Sequence, residues 1–264
     1  MDTTLRDGEQ TSGMSFSATE KLAISKLLIE ELNIDRIEIA SARVSQGEFE
    51  AVKNITNWAK NNNYLEKIEI LTFLDNNISL EWMNKTGAKV QNLLTKGSLN
   101  HLEHQIKKSP TEYFKLVSKC IKNANNMGIT TNVYLEDWSN GMRNSIDYVY
   151  DFLNVLTKLP VKRILLPDTL GILSPKETFK YISSIVKKYP NTHFDFHAHN
   201  DYDLSVSNVI EALNAGCNGL HLTVNGMGER AGNAPMASVA AVIKDFIPHV
   251  KINLKEKSLY KVSK

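Results

Sequence analysis

The sequence predicts a single (β/α)8 barrel. Short apolar runs of strand length alternate with amphipathic helical stretches, and eight such runs can be counted, a pattern that implies a parallel sheet with crossover helices. The length, 264 residues, suits one barrel with short connections. No G-x-G-x-x-G follows the first run, and "GMGERAG" at 226–232 has glycines at another spacing after the last run. A doubly wound nucleotide-binding sheet therefore lacks its signature.

The first run is "MDTTL" at 1–5, followed by the helical "SATEKLAISKLLIEEL", which opens with a capping box from Ser17 to Glu20. "RIEIA" (36–40), "KIEILTF" (67–73) and "AKVQNLL" (88–94) are the second to fourth runs. The longest gap then holds the helix "SPTEYFKLVSKCIKNANNMG" before the fifth run, "TTNVYLE" at 130–136. After the sixth run, "VKRILLP" at 161–167, Ser174 and Pro175 supply an N-cap and a first helical residue. The seventh run, "HFDFH" at 193–197, leads to a helix that ends on Gly216, a left-handed C-cap residue. "GLHLT" at 219–223 and the helix "APMASVAAVIKDFI" close the series. Residues 1–250 are thus expected to form one catalytic barrel, with its first strand cut short, and 251–264 to begin a C-terminal linker with a solvated basic face.

The composition narrows the partners. A net charge of +2 gives no electrostatic case for nucleic acid or an anionic membrane. Cys120 and Cys217 have no metal or redox spacing, which points to a reducing compartment. No apolar run approaches the roughly 18 residues that span a bilayer, and Asp2, Arg6 and Asp7 stand where a signal peptide would be apolar. The cytoplasm is the expected location.

In a barrel, chemistry collects at the C-terminal ends of the strands. Arg6 and Asp7 end the first run, Glu136 and Asp137 the fifth, Asp168 and Thr169 the sixth, and His197 and His199 the seventh. Asn225 follows the eighth run and Asn233 closes its loop. In "HAHND" the two histidines lie two apart, so an extended strand points both the same way. With Asp7 and Asn233 on the same rim they offer two nitrogens and two oxygens to a divalent ion, Zn, Mn or Mg, with open positions for substrate. A pair of hydrogen-bonded histidines, a plain rim ion pair between Arg6 and Asp7, and a turn cap at Thr169 are the structural alternatives. Tyr134 and Glu136 share a strand face; His104 reads as a solvated helix residue and His101 stays open.

"DTTLRDGEQTSG", "LPDTLG", "HAHNDYDLS" and "NGMGERAGNAP" resemble, in order and over residues 1 to about 245, the metal-dependent barrel enzymes that include 2-isopropylmalate, citramalate and homocitrate synthases and hydroxymethylglutaryl-CoA lyase. "IEIASARVS", "AKVQNLLTKGSLNHLEHQ" and "NVYLEDWSNGMRNS" are most similar to (R)-citramalate synthase and related 2-isopropylmalate synthases. The resemblance implies condensation of acetyl-CoA with pyruvate or 2-oxoisovalerate in branched-chain amino-acid biosynthesis. It assigns Asp7, His197, His199 and Asn233 to the metal, Arg6 to the enolate and 2-oxo acid, Glu136 to acid/base work, and Thr169 to the substrate carboxylate. It places Leu71, Leu94 and Tyr134 around the substrate's side chain. Lyase relatives carry a cysteine in the glycine-rich loop after the last strand, and "NGMGERAGN" has none. Family members add residues before the first motif and a C-terminal helical linker that supplies a histidine and a tyrosine to a partner's site. A homodimer is expected of the full-length protein, and little turnover of residues 1–264 alone; a homocitrate synthase or a hydroxymethylglutaryl-CoA-lyase-type C–C lyase on the same barrel, or a truncated metal-binding barrel without turnover, are the alternatives.

Overall fold

A computed structural model describes residues 1–247 and 250–263. Seven parallel strands run in chain order: β1 Ile37–Ser41, β2 Ile68–Thr72, β3 Val90–Lys96, β4 Thr130–Glu136, β5 Val161–Asp168, β6 Phe194–Ala198 and β7 Gly219–His221. Helices cover the outside. The expected caps are present: Ser17–Glu20 forms a capping box, Ser174 caps the helix ahead of Pro175 and pairs with Glu177, and Gly216 takes a left-handed conformation; Ser109–Glu112 forms a further capping box.

The first run departs from its expected form. It is a one-residue rung and not a strand over 1–5: Asp2 bridges Ile37 on β1 and Leu222 just past β7, both in parallel. Asp2 N donates to Arg36 O and Glu38 N to Asp2 O, each at 2.9 Å, while Thr3 N donates to Leu222 O at 2.9 Å. These bonds join the two edges of the sheet and close the barrel. The run stops because the chain turns immediately. The Asp2 carboxylate accepts from Thr4 N and Thr4 Oγ1 at 2.9 and 2.7 Å, and the amides of Arg6, Asp7 and Gly8 all donate to Thr3 O. Arg6 and Asp7 therefore sit in a turn and not at a strand end. The last run is also shorter than 219–223, because Thr223 leaves to bridge Pro235.

Strand residues alternate between two environments, as the pleat requires. Ile37, Ile39, Ile68, Ile70, Val133, Leu135, Phe194 and Phe196 pack outward in the main hydrophobic cluster. Inside the barrel, Glu38, Glu69, Asn92, Asn132, Asp195 and His221 are fully buried. Barrel interiors are ordinarily filled by branched apolar side chains; here charged and amide groups form the lower fill, and a small separate cluster of Leu71, Tyr134 and Leu165, flanked by Phe73 and Leu94, is the apolar part.

Candidate active site

The turn after Asp2 brings Asp7 to the barrel mouth opposite β6. His197 Nε2 and His199 Nε2 lie 3.6 and 3.9 Å from Asp7 Oδ2, and 3.3 Å from each other. The three ligand atoms are all within 4.8 Å of one another, and all three residues are buried. Burial pushes both imidazoles toward the neutral form, His197 strongly so. The Nδ1 atoms of both rings are buried without hydrogen-bond partners. Burial pushes the Asp7 carboxyl up, but Arg6 and the histidines outweigh that and hold it well below the usual range. Two lone-pair nitrogens facing one carboxylate oxygen suit a divalent cation better than they suit each other.

Asn233 Nδ2 donates to Asp7 Oδ1 at 2.7 Å and to Met227 O at 3.1 Å. Its Oδ1 is buried and has no partner, leaving an oxygen beside the cluster for the fourth expected ligand. Room for this amide depends on Gly228: a Cβ there would lie 2.0 Å from Asn233 Nδ2 and 2.9 Å from Asp7 Oδ1.

Arg6 is held between two carboxylates, donating from Nε to Glu38 Oε2 and from Nη1 to Asp7 Oδ2 at 2.7 Å. Burial alone would lower its pKa, but Glu38 and Asp7 raise it, so the guanidinium stays charged. Its Cζ is 5.9 Å from the Tyr134 ring centre. A cavity of about 220 Å³ joins these groups: Arg6, Asp7, His197 and His199 line it together with Leu71, Phe73, Leu94, Tyr134, Glu136 and Thr169. Glu136, at the end of β4, pairs with Lys96 Nζ. Thr169 Oγ1 accepts from Asp137 N at 2.8 Å, so it ties the end of β4 to the loop after β5 and does not cap its own following turn, and it lines the cavity.

Other rim residues have local work. Asp168 accepts from the amides of Ile172 and Leu173. Asp137 accepts from Ser98 Oγ and Asn140 Nδ2, and His101 Nε2 lies 3.5 Å from it. Asn225 is exposed and donates to Ser263 O. His104 is exposed, with Nδ1 3.0 Å from Asn100 O in its own helix. The residues the sequence did not single out are Glu38, Lys96, Phe73 and His221. His221 carried one signal, a lone ionisable residue inside an apolar run ("GLHLT"), and Glu38 another, an acid between two isoleucines in "RIEIA".

Residues 1–264 match the HMGL-like family over their whole length. The chain belongs to the HMGL-like family. It is 32% identical over 262 residues to a probable 2-isopropylmalate synthase of Ignicoccus hospitalis, covering 99% of this chain and 63% of that protein. It is 32% identical over 263 residues to the (R)-citramalate synthase of Methanocaldococcus jannaschii, covering 100% of this chain and 51% of that protein. A homocitrate synthase of Saccharolobus islandicus is 31% identical over 248 residues, 92% of this chain and 52% of that protein. The chain thus spans about half to two thirds of the length of these curated relatives. In fold it matches the HMG-CoA lyase of Bacillus subtilis with a TM-score of 0.76 at 19% identity, covering 99% of this chain and 90% of that one. In this chain the cavity opens at the C-terminal ends of the strands.

Proposed function

We propose that this chain carries the catalytic barrel of an acyltransferase that condenses acetyl-CoA with a short 2-oxo acid, pyruvate or 2-oxoisovalerate, and releases CoA. The observation that carries this reading is the single cavity shared by Arg6, the Asp7–His197–His199 group and the apolar patch of Leu71, Leu94 and Tyr134. Asp7, His197 and His199, with Asn233 Oδ1 beside them, would hold a divalent cation, Zn, Mn or Mg. When bound, that cation polarises the ketone and fixes the 2-oxo acid in place.

Arg6 is anchored at Nε and Nη1 by two carboxylates and serves as the donor at the forming enolate oxygen, where a fixed positive charge lowers the barrier. Thr169 Oγ1 already accepts from Asp137 N, so its own proton is left to donate to the substrate carboxylate. Glu136, paired with Lys96, takes the acetyl methyl proton. The new bond joins that methyl carbon to the ketone carbon; the ketone oxygen gains a proton, and water cleaves the thioester. A second cavity of about 540 Å³ shares Phe73 and Leu94 with the first and has Lys96, Lys108 and Lys119 in its wall, which suits the anionic arm of CoA. The lyase reading is weaker, because Cys217 is buried before β7, where its Sγ donates to Phe194 O at 3.0 Å.

Calorimetric titration of pyruvate, 2-oxoisovalerate and 2-oxoglutarate into the chain, with Zn2+, Mn2+ or Mg2+ and with chelator, tests the substrate site. Binding of at least one of the first two acids that chelator abolishes is expected. Binding indifferent to metal would refute the roles of Asp7, His197 and His199. CoA release from acetyl-CoA with the same acids, measured on a longer protein containing this barrel, tests the reaction.

A further inference from the structure

We propose that Lys21 is a positioning residue for the proposed reaction: its side chain clamps the turn that carries Arg6 and Asp7 on both sides, and so sets where these two meet the cavity. This rests on the divalent-cation and 2-oxo acid reading above and deepens it. The turn has little else to hold it. Among the described residues its run has one rung on the sheet, Asp2. The amides of Arg6, Asp7 and Gly8 share a single acceptor, Thr3 O, at 3.2, 2.8 and 3.1 Å. A carbonyl oxygen has two lone pairs, so three donors there cannot all be well aligned. Yet the carboxylate of Asp7 must meet His197 and His199 across the barrel mouth.

Lys21 stands in the helix Ala18–Lys26 with its side chain only 1% exposed. Its Nζ donates at 3.2 Å to Leu5 O, the carbonyl bonded to Arg6 N, and pairs at 2.6 Å with Glu9 Oε2, two residues past Asp7. Glu9 Oε1 in turn accepts from Phe16 N at 2.8 Å. Residues 5 and 9 bracket Arg6 and Asp7, and one nitrogen holds both. The same nitrogen reaches Ile39 O on β1 at 3.4 Å and pairs with Glu48 in the first turn of the helix Gln46–Asn61. Ile39 follows Glu38, the acceptor of Arg6 Nε. Both ends of the Arg6–Glu38 contact therefore share one anchor. A buried lysine needs paired and hydrogen-bonded surroundings, but a simple tie between two helices would engage Glu48 alone. Four acceptors surround an ammonium that has three N–H donors, so none is left for substrate. Lys21 is not among the residues that line the cavity, and it acts through the turn.

Two measurements on the chain test this: Mn2+ affinity, read from the electron paramagnetic resonance of free Mn2+, and amide hydrogen exchange at residues 6–8. Lys21→Met keeps a long stem and removes the donors. It should weaken Mn2+ binding about tenfold or more and speed exchange at Arg6, Asp7 and Gly8 about tenfold relative to the amides of β3. Glu9→Gln keeps an acceptor for Phe16 N and removes only the turn's ion pair. It should weaken Mn2+ binding about two- to tenfold, with exchange moving the same way. Val117→Ala, on the buried face of the helix Pro110–Asn126, lowers stability without touching the clamp and should leave both readings unchanged. If either reading stays unchanged in Lys21→Met, or if Val117→Ala moves them as far, Lys21 is an interior ion pair only and the proposal is overturned. Should Lys21→Met not fold, Glu9→Gln decides, and readings equal to those of the unaltered chain overturn the proposal. Failure of the unaltered chain to bind Mn2+ refutes the metal reading of the site, while exchange at residues 6–8 still decides whether Lys21 holds the turn.

Discussion

Arg6 is the side chain on which the chemistry and the architecture converge. Its Nε is committed to Glu38, which is fully buried, and its Nη1 to Asp7. A guanidinium pinned at two points presents its remaining N–H groups with little freedom, the preorganisation that makes electrostatic stabilisation effective. Arg6→Ala should lower condensation by about 10²–10³-fold. The three ligand side chains remain in that variant, so bound metal per chain should stay near its original value. Activity assay and metal analysis on the same preparation separate the two effects, and a parallel fall in both would show that Arg6 acts by holding Asp7. Asp7, His197, His199 and Asn233 were legible in the sequence because spacing and order along a barrel rim are sequence properties. Glu38 and His221 were not, since a polar residue in a strand run gains meaning only once the sheet curls and its inner face becomes a closed interior.

At the scale of elements, seven of the eight runs became strands within one or two residues of their expected limits, because alternating burial leaves a period-two trace. The first run failed for a chemical reason. Asp2 spends its carboxylate on Thr4, so the chain turns where alternation would have continued. Barrel closure therefore hangs on one rung, and that rung contains an acid that is fully buried. Burial pushes the Asp2 carboxyl up to about 6 from an ordinary 3.8, against the hydrogen bonds from Thr4. Between those values the native state holds a proton that the unfolded chain has released. Stability contributed by this group is thus present below the unfolded value and falls as pH rises toward 6. Asp2→Asn should remove that slope while keeping an oxygen for Thr4. Denaturant melts at pH 4 and pH 7 (about the ends of the window) should show a smaller loss of stability on raising the pH in the variant than in the unaltered chain. An equal loss in both would place the pH dependence elsewhere.

At the scale of the molecule, one connected polar fill joins the mouth of the barrel to its base. Arg6 leads through Glu38, Asn92 and Asn132 to Glu69, and Arg36 links Glu69 to Asp195, His221 and Tyr134. Removing any member strands a buried charge or amide, so this fill is a condition for the fold more than a source of stability. Above it, folding gathers Asp7, His197 and His199 from positions 190 residues apart in sequence. The unfolded chain has no such group, so a divalent cation should bind the native state alone and stabilise it by mass action. At a hundredfold excess over its dissociation constant the gain is about 2.7 kcal/mol, and for a chain of this size each kcal/mol moves the melting temperature by about 2–4 °C. Saturating Zn2+, Mn2+ or Mg2+ should therefore raise Tm by about 5–10 °C, chelator should reverse the rise, and Asp7→Ala or His199→Ala should abolish it. Asn233→Ala tests the fourth ligand: a rise that survives at reduced size is expected if Oδ1 only completes the set. A full rise in His199→Ala would mean that the cation binds elsewhere, and the polar fill would then end in a mouth with no ion to hold.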